Sequence, residues 1–286
     1  MNRNKNAIKK DVYAEYGLQF KSDKVFCDPL GIWVSEMIPI GTNTKVGNAG
    51  TWSLYHGDEL LTIDMFGPKT RELMELANIN AIKASCPLHC KDCYCDNGNY
   101  RFDSTKRSLM LKLILATRHI DWLERAIKAC IKANNIKKIR IHAAGDFFSN
   151  EYIDMWKRIV NEFNTSIFWT YTKNDYALSQ FQGIDNLFIT PSVTPAGFNF
   201  GTCSEILYKY NKLTAMGYKV HICACGTPIE RELDIHCANC EHGCKSVGNE
   251  CDFVLFIKHS TKDYKAGKND PVEFEKVCDI IARQNN

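Results

Sequence analysis

Hydrophobic and polar positions along the chain follow two regimes. From residue 31 to 66, short β-prone runs (WVSEMI, TWSLYH, LLTIDM) alternate with turn signals such as GTNTKVGNAGT, a pattern that predicts an antiparallel hairpin region. From residue 80 onward, short apolar runs are separated by segments of helical period, as expected of β/α units on a parallel sheet. Six runs fit that description: NAIKAS (80–85), KKIRIHAAG (137–145), SIFWTYTK (166–173), NLFITPSV (186–193), KVHICAC (219–225) and DFVLFIKH (252–259). Residues 105–134 are long enough for two helices. The segment 150–163 carries Ile153, Trp156, Ile159 and Val160 at helical spacing, 203–216 is similar, and a terminal helix over 272–283 follows Pro271.

These elements divide the chain into an N-terminal extension and hairpin region (1–79), a six-unit β/α core (80–260) containing a Cys-rich loop (223–251), and a C-terminal helix (261–286). In parallel β/α architectures ligands collect at the carboxyl ends of the strands. Here those ends read CPLHCKDCYC, AAGD, TYTKN, TPSVTP, CACGTP and KHS.

Composition adds one fact of weight. With 286 residues, 45% hydrophobic, the chain can bury a core, and a net charge of +3 is too small to specify a nucleic-acid partner. The start MNRNKNAIKKDVYAEYG lacks an apolar core, and no run approaches the roughly 18 apolar residues of a membrane span, so a cytoplasmic protein with no membrane partner is expected. Cysteine is the exception, at fourteen residues. In a cytosolic chain of this size, close-set cysteines point to metal rather than to disulfides.

Ten of the fourteen form two groups: Cys86, Cys90, Cys93 and Cys95, then Cys223, Cys225, Cys237, Cys240, Cys244 and Cys251. Cys27, Cys130, Cys203 and Cys278 are isolated and are expected to be small buried hydrophobes. In the first group, Cys86, Cys90 and Cys93 have the spacing C-x3-C-x2-C, where Pro87 discourages helix and lets the chain curl around a centre. Three thiolates can hold an iron–sulfur cluster and leave one iron open to an exogenous ligand. With Cys95 as a fourth ligand, the same loop becomes a closed structural zinc or electron-transfer site. In the second group, Cys237, Cys240 and Cys244 form C-x2-C-x3-C, which suits either zinc, with His236 or His242 as further ligands, or an auxiliary cluster. Cys225 with Cys237, Cys240 and Cys244 is the favoured set, and Cys251 is a substitute.

C-x3-C-x2-C directly after the first strand of a six-unit β/α chain resembles the radical S-adenosylmethionine superfamily. The run of CPLHCKDCY, IRIHAAGDF, FWTYTK and a late Cys-rich segment ending in FIKH is also similar to a family of phage and prophage iron–sulfur proteins. The resemblance implies a partial (β/α)6 barrel and a [4Fe-4S] cluster on Cys86, Cys90 and Cys93, whose open iron binds the amino and carboxylate groups of S-adenosylmethionine. It also implies a 5′-deoxyadenosyl radical that abstracts hydrogen from substrate, an electron donor such as flavodoxin or ferredoxin, and, in the second group, another [4Fe-4S] cluster rather than zinc. Two positions depart from the superfamily pattern: Asp92 stands where an aromatic residue usually precedes the third Cys, with Tyr94 after it, and Ala144-Gly145-Asp146 replaces Gly-Gly-Glu. Asp146 can still accept from an ammonium group, and Gly145 still allows close backbone approach.

Other candidates carry less. Thr170 and Thr172 share a strand face, as Ser192 and Thr194 do one beyond the fourth strand; Thr172 and Ser192, at the strand ends, are the candidates for cofactor ribose or carboxylate, although turn chemistry near Pro191 and Pro195 explains them as well. His142 is expected to be a satisfied core residue, His259 a strand end that meets substrate or solvent, and most aromatics core. A rival class is a non-catalytic protein stabilised by zinc or closed clusters, serving a nucleic-acid or protein partner. Against it, six strand-like runs can make a core without metal.

Overall fold

The computed structural model describes residues 2–39, 49–88, 93–96, 98–223, 251–257 and 271–284. By contact density the chain falls into two units, Met1–Ile40 with Ala49–Phe168 and Ser179–Asn186, and Gly41–Asn48 with Trp169–Leu178 and Leu187–Asn286.

The first unit opens with helix α1 (Asn2–Glu15), which the sequence reading did not anticipate, and an antiparallel meander, β1 (Phe20–Lys21), β2 (Lys24–Cys27) and β3 (Ile32–Ser35). Alternation puts Val25, Cys27 and Val34 on the buried side. Tyr13 of α1 stacks on Phe20 at 4.6 Å and donates its hydroxyl to Glu36. There follow β4 (Gly50–Thr51), β5 (Leu60–Thr62), α2 (Pro68–Leu76), β6 (Ala81–Lys83), α3 (Asp103–Arg118), α4 (Ile120–Asn134), β7 (Lys138–Ile141), α5 (Asn150–Glu162) and the first residues of β8 (Ile167–Thr172). The expected helix pair is α3 and α4, and α5 is capped by Ser149, whose hydroxyl accepts from the Tyr152 N–H.

The strand pairing differs from the expected order at one place. NAIKAS forms β6, which pairs antiparallel with β5. TWSLYH, expected in an antiparallel hairpin, instead continues β4 parallel to β7. The pairs Gly50 with Ile139 and Thr51 with Arg140 lead into hydrogen bonds from Ala143 N–H to the Trp52 carbonyl and from Leu54 N–H to that of Ala144, both 2.9 Å. The reason is packing. Of β6 only Ile82 is buried, as in a strand with one wet face, whereas Trp52, Leu54 and Tyr55 are all buried. Gly50 permits the approach: a Cβ there would stand 2.6 Å from Ile38 Cγ2 and 3.1 Å from Ile136 Cγ2.

The second unit holds the rest of β8, α6 (Asp175–Gln180) in part, β9 (Leu187–Pro191), a small hairpin of β10 (Val193–Thr194) and β11 (Gly197–Phe198), β12 (Phe200–Gly201), α7 (Cys203–Ala215), β13 (Val220–Cys223), β14 (Phe253–Ile257) and α8 (Pro271–Gln284). Strands β12, β14 and β13 lie side by side and parallel. Ile206 and Leu213 of α7 pack with Ile222, Leu255 and with Val277 and Ile281 of α8. Thr202 and Glu205 cap α7 reciprocally, and the Gln284 amide bridges the Val220 carbonyl and the Ile222 N–H. The fold is mixed α/β with several small sheets, and among the described residues no closed barrel is seen. No described helix is long and apolar enough to cross a membrane.

Candidate metal centre

Three backbone segments of the first unit meet at the cysteine loop: 52–57, 84–86 and 142–147. The chain entering the loop is fastened to the first of them. The Ser85 N–H and hydroxyl both donate to the Tyr55 carbonyl, at 3.2 and 2.7 Å, and the Cys86 N–H donates to that of Gly57 at 2.7 Å. Gly57 returns its own N–H to Cys86 Sγ at 3.3 Å, a contact that favours a thiolate or metal-bound sulfur.

The third segment is the turn after β7. Gly145 has φ +83°, and a Cβ there would lie 2.6 Å from Ser85 Oγ and 2.8 Å from Leu54 Cβ, so this close approach requires glycine. The next amide, that of Asp146, points at Ser85 Oγ at 3.4 Å. Asp146 itself is 2% exposed, and its Oδ1 accepts the Phe147 N–H at 2.7 Å. Gly145 and Asp146 are thus brought against the residue that precedes Cys86.

Beneath the turn runs a buried polar chain. Trp52 Nε1–H donates to the Tyr152 hydroxyl at 2.7 Å, and that hydroxyl lies 2.9 Å from His142 Nε2. Burial pushes the His142 pKa down to about 3, so the ring is neutral. His142 is a core residue as expected, although its φ of +60° is not a strand value.

Beyond Cys86, Cys93 stands with two residues that the sequence reading missed, His56 and Asp96. A ring nitrogen of His56, Cys93 Sγ and a carboxylate oxygen of Asp96 lie within 4.8 Å of one another. His56 Nε2 is 3.0 Å from Asp96 Oδ1, and its ring stacks on Tyr55 and meets Tyr100 edge-on. Burial holds Tyr100 up at about 12, with the thiols of Cys95 and Cys93 adding to the rise and the Arg140 cation opposing it. Cys95 is buried, unlike the half-buried Cys86 and Cys93. One sequence signal for His56 existed: it ends an apolar run, where ligand-binding residues gather.

Thr172 and Ser192 belong to the second unit, where the Ser192 N–H donates to the Thr172 carbonyl at 2.7 Å. The Thr172 hydroxyl accepts the Asn174 N–H, and that of Thr194 closes the hairpin onto the Gly197 carbonyl, both local turn contacts. Cys223 and Cys251 are buried together around Val254. Cys27, Cys130 and Cys203 are fully buried, and burial pushes each thiol up to about 11. Cys90, Cys225, Cys237, Cys240, Cys244, His236, His242 and His259 lie outside the described residues.

Residues 52–252 match the family described as Gene product 88, a span that contains both cysteine groups and the Gly145–Asp146 turn. Over 47 residues the chain is 43% identical to the Gene 88 protein of Mycobacterium phage D29; the match covers 16% of this chain and only a fifth, 20%, of that protein. No solved structure matches the chain. Since the family match extends over well more than half of its residues, the chain belongs to the Gene product 88 family.

Proposed function

We propose that this protein is a cytoplasmic iron–sulfur enzyme that reductively cleaves S-adenosylmethionine and uses the resulting radical to abstract hydrogen from a substrate. The observation that carries the reading is the docking of the Gly145–Asp146 turn onto Ser85, which joins a buried carboxylate to the root of a three-thiol loop. Cys86, Cys90 and Cys93 would hold a [4Fe-4S] cluster, and the soft donors and the Gly57 N–H on Cys86 Sγ suit such a group. When bound, the cluster supplies the electron that breaks the carbon–sulfur bond of the cofactor.

The chain does the rest. Asp146 meets the ammonium group of S-adenosylmethionine in a nearly dry setting, a contact worth roughly 1.5–3 kcal/mol. Gly145 lets the backbone come close to the cofactor. In this reading Cys95 is not a ligand, which leaves one iron open. Cys225, Cys237, Cys240 and Cys244 would hold a second [4Fe-4S] cluster, and a flavodoxin or ferredoxin would deliver electrons.

The test is anaerobic reconstitution followed by measurement of iron, sulfide and 5′-deoxyadenosine under dithionite. Cys86→Ala and Cys93→Ala should abolish 5′-deoxyadenosine, Asp146→Ala should weaken cofactor binding about ten- to hundredfold, and Cys95→Ala should be mild. If Cys95→Ala is as damaging to the cluster as Cys93→Ala, the loop is a closed four-cysteine site and the radical mechanism fails.

A further inference from the structure

The group formed by His56, Cys93 and Asp96 overlaps the three-cysteine set only at Cys93. We propose that these three residues bind a single divalent ion of borderline softness, of the zinc and ferrous class, and that this ion and the cluster exclude each other because both need Cys93. The inference goes beyond the cluster reading and shares one residue with it. Two donors on one ion can be no farther apart than the sum of their bond lengths, about 4.4 Å for thiolate and imidazole on zinc. A mutual separation within 4.8 Å is close to that limit, so a shift of a few tenths of an ångström would seat all three donors on one ion.

The site is built by the fold rather than by local sequence, since His56 ends the β4 segment and Asp96 lies forty residues on. The imidazole is held in place by Tyr55, stacked at 5.4 Å, and by Tyr100, edge-on at 6.1 Å. One ring nitrogen faces the Asp96 carboxylate at 3.0 Å, while Nδ1 is buried and has no hydrogen-bond partner among the described residues. Donors to one ion can stand that close, so Nε2 and the Asp96 carboxylate can face the same metal. The mixed sulfur, nitrogen and oxygen donors select zinc, ferrous iron or cobalt over magnesium and calcium. A thiolate engaged by such an ion is not available to a cluster, so the loop has two alternative metal states.

Cobalt(II) is the probe, titrated anaerobically into the full-length apo protein and followed by thiolate-to-cobalt charge transfer. Cobalt taken by the second cysteine group is retained in every variant, so the readout is the number of equivalents. His56→Gln and Cys93→Ser should each lose one equivalent, Asp96→Asn should weaken it about ten- to hundredfold, and Cys86→Ser should keep it. Saturating zinc should block iron uptake at the loop in the wild type and not in His56→Gln. Asp96 is half exposed, with 55% of its side chain open, so Asp96→Asn keeps the test valid should His56→Gln fail to fold. Wild-type stoichiometry and affinity in Asp96→Asn, or loss of the same equivalent in Cys86→Ser as in Cys93→Ser, overturns the proposal. Failure of the radical reading shows separately, as iron-loaded protein that makes no 5′-deoxyadenosine while cobalt binding follows the pattern above.

Discussion

Gly145→Ala is expected to destabilise the first unit by roughly 1–4.6 kcal/mol, and three contributions set that figure. At φ +83° an alanine is strained by about 1–2 kcal/mol. The stiffer unfolded chain returns about 0.4–1 kcal/mol. The new methyl would stand 2.6 Å from Ser85 Oγ and 2.8 Å from Leu54 Cβ, with the Leu54 carbonyl at 3.2 Å, and such overpacking costs about 1–3 kcal/mol. Gly183 provides the control, because its φ is +77° and nothing lies within 4 Å of a Cβ built there. Gly183→Ala therefore carries the backbone contribution alone, and the two variants should differ by about 1–3 kcal/mol. Urea unfolding of both, with free energies compared at constant slope, gives the measurement. Equal effects would refute the packing of the cysteine loop on the turn after β7, and a neutral Gly145→Ala would refute the strain as well.

Tyr152→Phe removes the acceptor of Trp52 Nε1–H and the hydrogen-bond partner of His142 Nε2, and should cost roughly 2–4 kcal/mol in the same assay; a loss under about 1 kcal/mol would mean that the buried chain does not hold the turn. His142 gives a pH signature. Its folded pKa is near 3 against an ordinary value of 6.5, so below pH 6.5 the unfolded chain takes up a proton that the fold refuses. Stability should therefore fall with pH from 6.5 to about 3, by at most about 1.4 kcal/mol per unit. His142→Asn, a residue that tolerates left-handed backbone, should remove that part of the slope; an unchanged profile would assign the acid sensitivity to other groups.

Strands were legible from sequence where the pattern is plain: KIRI, with Ile139 and Ile141 on its buried face, and FWTYT and FVLFI, buried on both faces, all stand where the pattern put them. NAIKAS and TWSLYH exchanged partners because the deciding fact is not local. A glycine at position 50 lets one run slide under Ile38 and Ile136, and neither run reveals that alone. The first site was legible at its cysteines, which are close in sequence. His56 and Asp96 were not, since forty residues separate them and only the paired segments 52–57 and 84–86 bring the histidine to the loop. Gly145 and Asp146 were visible as a motif, but their contact with Ser85 was not, because it depends on φ at one glycine.

Burial of the isolated cysteines has a consequence for reactivity. Cys27, Cys130 and Cys203 have pKa values near 11, so at pH 7 only about one in ten thousand of each is thiolate, the form that attacks alkylating reagents and oxidants. In the folded protein these thiols are close to inert, whereas among the described cysteines Cys86, Cys93 and Cys278 are half-buried and open to modification. Brief alkylation with iodoacetamide, mapped residue by residue, therefore reads the two loop thiols separately, and protection of Cys93 but not Cys86 would distinguish a lone ion from a cluster without any spectroscopy.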